Sequence, residues 1–378
     1  MATGKILDPL NHEQFFNDYW EAQPLHIERS DSSHFENLLS EAQLVDFVQG
    51  GDAAFPEVQA INARNPVRVA DYTIDKKTVC ANKMMQRYAE GATIVVSEVH
   101  KKFPALRELC DQFSRDFSML CQANSYLSPA SNQGFHSHYD THDVFVLQVA
   151  GRKKFQFYSA GVKLPFTEDT YTPENNTGSV MLDEIEVSAG DTLYIPRGIV
   201  HDAIADAGEP SLHITLGAFP FVLRDLLQEM VQVVAEGDVE WRSSVDLKQQ
   251  SFDLAQLNRK SESLFSDQVY LEALSRLADE VALQQSSDTI GVPEVSLQSK
   301  IAVEHSRLFG IEKRADKLKL RLSGVVLSFE APMADAVDAI LGNRIKQVSD
   351  IPALDDEQRL ALCRQLIGAG AITLDGET

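Results

Sequence analysis

The chain has 378 residues, of which 44% are hydrophobic and 24% are charged, as is typical of a globular protein with an ordinary core. Its formal net charge of −22 repels phosphate backbones and anionic lipids, which argues against direct binding to nucleic acids or membranes. The four cysteines form no Cys-x-x-Cys pair, and neither a signal sequence nor a long apolar run is visible. We therefore expect a cytoplasmic protein with free thiols.

A helix is predicted near the start of the chain. Asn11 and Gln14 have the spacing of a capping box, in which each side chain bonds to the other residue's backbone. The aromatic residues that follow at helical spacing, which we assign to the core rather than to a cofactor site, are Phe15, Phe16, Tyr19 and Trp20. Another helix is predicted around residues 102–113.

From about residue 118 the sequence changes to short strand-like runs separated by glycine-containing turns. Many short strands with such turns predict a β-sandwich or jelly-roll, and we favour the double-stranded β-helix of the cupins. We assign residues 1–221 to this domain, including the helical N-terminal extension. The predicted strands cover residues 144–149, 154–158, 184–187, 192–195 and 212–216.

After Pro220 the pattern becomes helical. Apolar residues recur at helical spacing in residues 223–234 and 270–281, and these stripes can pack on each other or on a second subunit. We therefore predict a helical dimerisation region at residues 222–303 and a homodimer.

Residues 304–378 mix both types of element, which predicts a small winged-helix-like domain and an α+β fold class for the whole chain. Ten basic and eleven acidic side chains lie after residue 304, whereas a DNA-reading winged helix is normally basic. We therefore expect a structural or partner-docking role. The predicted elements are strands at 317–322, 325–329 and 371–374 and helices at 333–341 and 355–367.

The segment from Phe135 to Asp143 contains three histidines and two aspartates. On an extended strand, residues two apart point to one side, so His138 and Asp140 can bind one metal. A Gly-Asp-x-Leu-Tyr-Ile-Pro-x-Gly-x-x-His element supplies His201, 61 residues after Asp140. Two imidazoles and one carboxylate leave positions open on Fe(II) for a 2-oxo acid and then O₂.

A three-histidine cupin site is the alternative arrangement of these residues. His136, His138 and His201 could form it, but such sites usually add a glutamate after the His-x-His pair, and position 142 here is His142. We therefore expect His136 and His142 to lie behind the ligands or at the surface.

These motifs resemble those of the JmjC-domain ribosomal oxygenases, which hydroxylate ribosomal proteins. The resemblance rests on Phe15–Pro24, with its Phe-x-x-x-x-Trp-x-x-x-Pro pattern, on Ser137–Gln148, and on Gly151–Phe155. It implies an Fe(II)- and 2-oxoglutarate-dependent dioxygenase that uses O₂ and acts on a basic ribosomal protein. The trailing regions resemble that family's dimerisation and winged-helix domains.

The resemblance also implies roles for further residues. Lys153 would pair with the distal carboxylate of 2-oxoglutarate, although Arg152 and Lys154 lie beside it and could be mistaken for it. Asn124 and Thr215 match positions that contact the oxo acid or line its pocket, and Tyr126 matches a tyrosine of the substrate cleft.

Gly217 is a departure that leaves the target side chain open. Most of the matched residues resemble the branch that hydroxylates histidine, which tends to have serine at this position. Gly217 resembles the branch that hydroxylates arginine.

Two other functions remain as alternatives. A JmjC demethylase would hydroxylate an N-methyl group through the same metal centre, although such enzymes commonly carry His-x-Glu or chromatin-reader modules. A metal-binding cupin or regulatory protein without redox turnover would use the same ligands and would not need Lys153.

Overall fold

The computed structural model describes residues 2–173, 179–206, 208–244, 254–285, 295–303, 308–314, 317–322, 325–342 and 344–374. The chain divides into two compact units, Met1–Pro220 and Phe221–Thr378. Within the described residues, no helix is long and apolar enough to cross a membrane.

Two antiparallel sheets form the jelly-roll of the first unit. The larger has the strand order β1-β8-β5-β10-β4-β3-β2 and the smaller has the order β7-β6-β9. The strands are β1 (Leu25–Ile27), β2 (Val58–Ile61), β3 (Thr93–Val96), β4 (Leu120–Ser128), β5 (Asp143–Ala150), β6 (Arg152–Gly161), β7 (Met181–Ser188), β8 (Thr192–Ile195), β9 (Ile199–Ala205) and β10 (Ser211–Phe219).

The centre of the larger sheet is covered on both faces. Phe145 and Leu147 of β5 belong to the main core, whereas Val144 and Val146 pack with Phe155 and other residues of the smaller sheet. Alternate residues of β5 therefore face opposite layers, as the pleat of a strand requires. The predicted jelly-roll is confirmed, and each strand predicted in this unit is present.

Helices of the N-terminal part pack on the outer face of the larger sheet. The predicted capping box at Asn11 and Gln14 is present, and Phe15 is fully buried against the rings of Phe145 and Tyr194. The aromatic stripe is therefore core, as predicted. The helices are α1 (Ala2–Leu7), α2 (His12–Asp18), α3 (Glu41–Gln49), α4 (Ala81–Ala89) and α5 (Pro104–Phe117).

The second unit begins with three helices, α6 (Leu223–Gly237), α7 (Leu254–Leu264) and α8 (Asp267–Gln285). Arg276 of α8 bonds to Glu229 and Glu236 of α6, so the two predicted apolar stripes belong to helices that pack together.

A mixed region follows, with strands β11 (Ile301–Val303), β12 (Leu308–Arg314), β13 (Lys317–Leu322), β14 (Val325–Glu330) and β15 (Ile372–Leu374) and helices α9 (Met333–Leu341) and α10 (Asp356–Gly368). Strands β12, β13 and β14 form one sheet, and β11 pairs with β15. The division of this unit at residue 304, which lies outside the described residues, and its winged-helix character stay predictions.

Candidate metal centre

The side chains of His138, Asp140 and His201 lie close together beside the smaller sheet. One ligand atom of each lies within 4.8 Å of the others, and this is the cluster of metal-binding side chains found among the described residues. His138 Nε2 is 3.9 Å from Asp140 Oδ1, and His201 Nε2 is 3.7 Å from Asp140 Oδ2. The structure thus brings together the three residues that the sequence suggested.

Two backbone hydrogen bonds join the segments that carry them. The His138 N–H donates to the His201 carbonyl at 3.0 Å, and the His201 N–H donates to the His138 carbonyl at 2.8 Å. The Gly198 N–H also donates to the Asp140 carbonyl at 2.9 Å. The two chain segments are therefore fixed to each other beside the site.

The prediction that His138 and Asp140 lie on a regular strand is wrong. Residues 129–142 contact β9 only through isolated bridges, at Gln133 with Ile204 and at His138 with His201. The reason is that this segment connects two strands of the larger sheet: it leaves β4 at Ser128, passes β9 at the edge of the smaller sheet, and rejoins the larger sheet at Asp143. The extended backbone still places both side chains on one side.

The backbone fixes how both imidazoles present their nitrogens. His138 Nδ1 lies 2.8 Å from the His136 carbonyl, and His201 Nδ1 lies 3.0 Å from the Ile199 carbonyl. A carbonyl only accepts, so each neutral ring carries its proton on Nδ1 and presents the Nε2 lone pair to Asp140. This is the arrangement expected of metal-binding histidines.

The electrostatics of the three residues also suit a cation. Burial opposes ionisation of Asp140, but His201, His138 and His142 together hold the pKa of its carboxyl below the usual value. Burial, followed by the nearby His138, lowers the pKa of His201. One carboxylate and two imidazoles are the donor set of a facial Fe(II) site, so the residues present fit that metal.

A buried ion network lies behind the site. Arg197 donates to Asp143 at 2.8 Å and pairs with Glu21 at 2.7 Å, and the Tyr194 hydroxyl donates to Asp143 at 2.6 Å. The Arg197 side chain is 5% exposed and that of Asp143 is fully buried. This network holds the turn before His201 against the strand that follows Asp140.

The metal-binding cluster opens into a cavity of about 300 Å³. Lys153 lines this cavity, is 3% exposed, and donates to Ser128 Oγ at 3.0 Å. Burial lowers the pKa of Lys153 to about 7. Among the described residues no carboxylate pairs with this lysine. Its buried ammonium is therefore a positive charge that an anionic ligand in the cavity can neutralise.

The alternation of β6 separates Lys153 from its neighbours. Arg152 pairs with Glu186 and Asp206, and Lys154 pairs with Glu184 and Glu186, all at the outer face. Of the three adjacent cations, Lys153 is the one in the cavity.

Asn124, Tyr126 and Thr215 line another wall of the cavity. Asn124 of β4 stands opposite Thr215 of β10. Burial, followed by the charge of Asp140, raises the pKa of Tyr126 to about 12, while hydrogen bonds with Thr215 and Asn124 act in the opposite direction. The three side chains therefore form one connected polar group.

These observations can now be set beside known proteins. A profile described as the JmjC domain matches residues 98–226, a range that includes every cavity residue named above. Residues 98–226 thus match a JmjC domain.

Curated relatives share this JmjC region but are much longer. The bifunctional lysine-specific demethylase and histidyl-hydroxylase NO66 of Drosophila erecta is 30% identical over 240 residues, covering 62% of this chain and 36% of that protein. The protein of the same name from Aedes aegypti is 31% identical over 218 residues, covering 57% and 34%. The chain thus spans about a third of the length of these relatives.

Solved structures extend the likeness of fold beyond the JmjC domain. YcfD from Escherichia coli has a TM-score of 0.54 at 15% identity, covering 97% of this chain and 98% of that one. A YcfD complex with cobalt and 2-oxoglutarate has a TM-score of 0.51 at 16% identity, covering 97% and 99%. At this identity the comparison establishes a shared fold.

Two other histidines of the JmjC domain lie where they cannot complete the metal cluster. His136 is exposed and provides the carbonyl that orients His138. His142 is half-buried and lines the cavity, but it does not belong to the cluster. The structure therefore does not bring His136, His138 and His201 together as a three-histidine site.

Sequence reasoning missed Thr93 and His213, which line the cavity, and Ser128, which contacts Lys153. Thr93 bonds to Ser128 at 2.9 Å, which extends the contact of Lys153, and His213 stacks on Tyr126 with ring centroids 4.7 Å apart. His213 shares the strand face of Thr215, so strand parity could have indicated it. No pattern in the sequence indicated that Thr93 and Ser128 lie near Lys153.

Proposed function

We propose that the chain is an Fe(II)- and 2-oxoglutarate-dependent dioxygenase that hydroxylates a histidine or arginine side chain of a ribosomal protein. The observation that supports this most strongly is that one cavity holds both the His138, Asp140 and His201 cluster and a buried lysine without a carboxylate partner among the described residues. A structural metal site would need no such cation.

The side chains divide into three roles. His138, Asp140 and His201 would hold the iron, which supplies the oxidising chemistry when bound. Lys153 would bind the distal carboxylate of 2-oxoglutarate, and Asn124 and Thr215 would contact the same molecule. Tyr126 would face the substrate cleft. In the overall reaction one atom of O₂ enters a C–H bond of the target, and the other enters succinate as 2-oxoglutarate loses CO₂.

The proposed partner is a basic ribosomal protein. A chain with a net charge of −22 attracts basic proteins, YcfD is described as a ribosomal oxygenase, and the NO66 relatives are named histidyl-hydroxylases. This partner also implies a cytoplasmic location and requires no direct binding to nucleic acid.

A homodimer formed through the second unit completes the proposal. Leu223 of α6 is 70% exposed and Leu271 of α8 is 56% exposed. Apolar side chains that are exposed to this extent are typical of surfaces that bind another protein subunit.

The test is the binding and turnover of 2-oxoglutarate. We expect the purified chain to convert 2-oxoglutarate to succinate with Fe(II), and His138→Ala to lose this turnover. Lys153→Ala should lose oxo-acid binding, measured calorimetrically with Mn(II) in place of iron. Lys154→Ala, which removes the neighbouring surface cation, should bind as the wild type does. Failure of the wild-type chain to bind 2-oxoglutarate would overturn the proposal.

Demethylation is the second candidate, because the NO66 relatives carry both activities in their names. The same assay with N-methyl-lysine peptides distinguishes them, since demethylation releases formaldehyde whereas hydroxylation leaves the oxygen on the target. A non-redox cupin would bind metal at the cluster and turn over no oxo acid.

A further inference from the structure

His142 lines the cavity but has no role in the proposed function. It lies two residues after Asp140 and lines the same cavity. It does not belong to the metal-binding cluster. Its imidazole is therefore beside the site of reaction without serving as a ligand.

The ring of His142 lacks hydrogen bonds within the described part of the chain. Its Nδ1 is buried and has no partner. Leaving a buried polar nitrogen unpaired is costly, so such groups commonly serve a bound ligand or water. Because the imidazole torsion has two similar minima, a half-turn brings either edge of the ring to the cavity.

Packing against Phe219 and Gly217 fixes the position of the His142 ring. Phe219 meets it edge-on, with centroids 4.6 Å apart and planes at 85°. A Cβ at Gly217 would lie 3.3 Å from His142 Nε2 and 3.2 Å from the Phe219 ring, closer than side chains usually approach. Because Gly217 has no side chain, there is room beside it for the His142 ring.

We propose that His142 is a specificity-determining residue that hydrogen-bonds the target side chain through a ring nitrogen and holds it beside the metal cluster. This inference rests on the proposed hydroxylase function. The matching ligand is a planar side chain that bears N–H groups, which describes both imidazole and guanidinium. A neutral imidazole can accept from such a group, and it can also donate to the bare nitrogen of a histidine target.

The test needs a peptide that contains the target residue. We would use the ribosomal-protein peptide that gains one oxygen atom with the wild-type chain, identified by mass spectrometry. His142→Phe keeps a ring against Phe219 and removes both nitrogens, whereas His142→Gln restores a polar group. We expect His142→Phe to raise the peptide KM, and its Kd with Mn(II) and 2-oxoglutarate, roughly tenfold, the scale of one lost hydrogen bond.

The same variant should leave the affinity for 2-oxoglutarate unchanged, and His142→Gln should recover part of the peptide affinity. Versions of the peptide with histidine or arginine at the target position show which planar side chain His142 favours.

Gly217→Ala tests the packing argument separately. The new Cβ displaces the His142 ring, so we expect the peptide KM to rise as in His142→Phe without a change in 2-oxoglutarate affinity. Gly237→Ala is the matched control, because a Cβ there has no heavy atom within 4 Å.

The outcomes separate this inference from the function on which it rests. If the wild-type chain hydroxylates the peptide and His142→Phe does so with the same KM, the role of His142 is wrong and the hydroxylase function stands. Equal loss of peptide affinity in His142→Phe and His142→Gln would also contradict it. If the wild-type chain neither binds 2-oxoglutarate nor modifies any ribosomal protein, the proposed function fails and this inference fails with it.

Discussion

Lys153 is energetically costly to bury in the cavity. Its ammonium is buried, its partner is the neutral hydroxyl of Ser128, and a charged group in such a place destabilises a fold unless it is neutralised. Burial also lowers the pKa of the neighbouring His213, and the charge of Lys153 adds to that effect. A lysine kept here at this cost is typical of a binding site.

We predict that Lys153→Met stabilises the ligand-free protein in a pH-dependent way. The pKa of Lys153 is about 7 in the fold, against an ordinary 10.5, so the unfolded chain binds more protons between these values. The penalty is therefore full below about pH 7 and declines as the pH rises toward 10.5. Urea unfolding across this range should show a stability advantage for Lys153→Met that shrinks at high pH.

Lys154→Met is the control for this measurement. Its ammonium is at the surface and its ion pairs are exposed, so its loss should change stability by about 1 kcal/mol or less. An advantage of Lys153→Met that does not depend on pH would contradict the account.

At this scale the sequence suggested the three residues of the metal-binding cluster, which the structure brings together, but not the surroundings of Lys153. The period of two along β6 puts Lys153 on the opposite face from Arg152 and Lys154, and the structure shows that its face is the one toward the cavity. Ser128 and Thr93 could not be predicted as its companions, since their contact depends on the pairing of β4 with β3, which no local pattern reveals.

The elements around the metal centre are held by the Arg197 network. Arg197 sits between β8 and β9, and its partner Asp143 begins β5. Glu21, which follows α2, adds a second carboxylate. Because His201 follows this turn and Asp140 precedes β5, the network sets the distance between the two segments that carry the ligands.

We predict that Arg197→Met weakens metal binding as well as the fold. Removing one partner of a buried pair costs about 3–5 kcal/mol, and loss of the groups that support ligands typically reduces metal affinity about 10–100-fold. Thermal melting and titration with Mn(II) would measure the two effects. Arg152→Met breaks a surface pair and should change neither by much. Unchanged Mn(II) affinity in a folded Arg197→Met variant would show that the network does not position the ligands.

The sequence predicted five of the ten strands of the first unit, but not the path of residues 129–142. The pattern of β6 alternates because only one of its faces is buried, whereas β5 and β10 are recognised as nearly continuous apolar runs because both of their faces are covered. The connection between β4 and β5 has no such pattern, since its backbone pairs with β9 at isolated bridges, and a regular strand was predicted in its place.

At the scale of the whole molecule, the two units contain different features. The first contains the residues that match a JmjC domain, the cavity and the metal-binding cluster. The second has exposed apolar residues on α6 and α8, including Leu223 and Leu271. Helical stripes in the sequence predicted these helices, but a stripe does not reveal which of its residues pack within the chain and which pair with another subunit.

The proposed dimer gives a prediction for this unit. Leu223→Asp combined with Leu271→Asp should convert a dimer into a monomer in analytical ultracentrifugation, because a charge in an apolar interface is not solvated. Asp substitution at Val239, which is also 70% exposed but lies outside α6 and α8, is the control. A wild-type chain that sediments as a monomer at high concentration would contradict the proposal.

The most direct test of the central claim is mass spectrometry of ribosomal proteins from a strain that lacks this gene. The purified chain, with Fe(II), 2-oxoglutarate and O₂, should add about 16 Da, one oxygen atom, to a histidine or arginine of one basic ribosomal protein. The His138→Ala variant should add nothing. If the wild-type chain leaves every ribosomal protein unmodified, or if His138→Ala modifies them equally, the cluster of His138, Asp140 and His201 is not the centre of a ribosomal-protein hydroxylase.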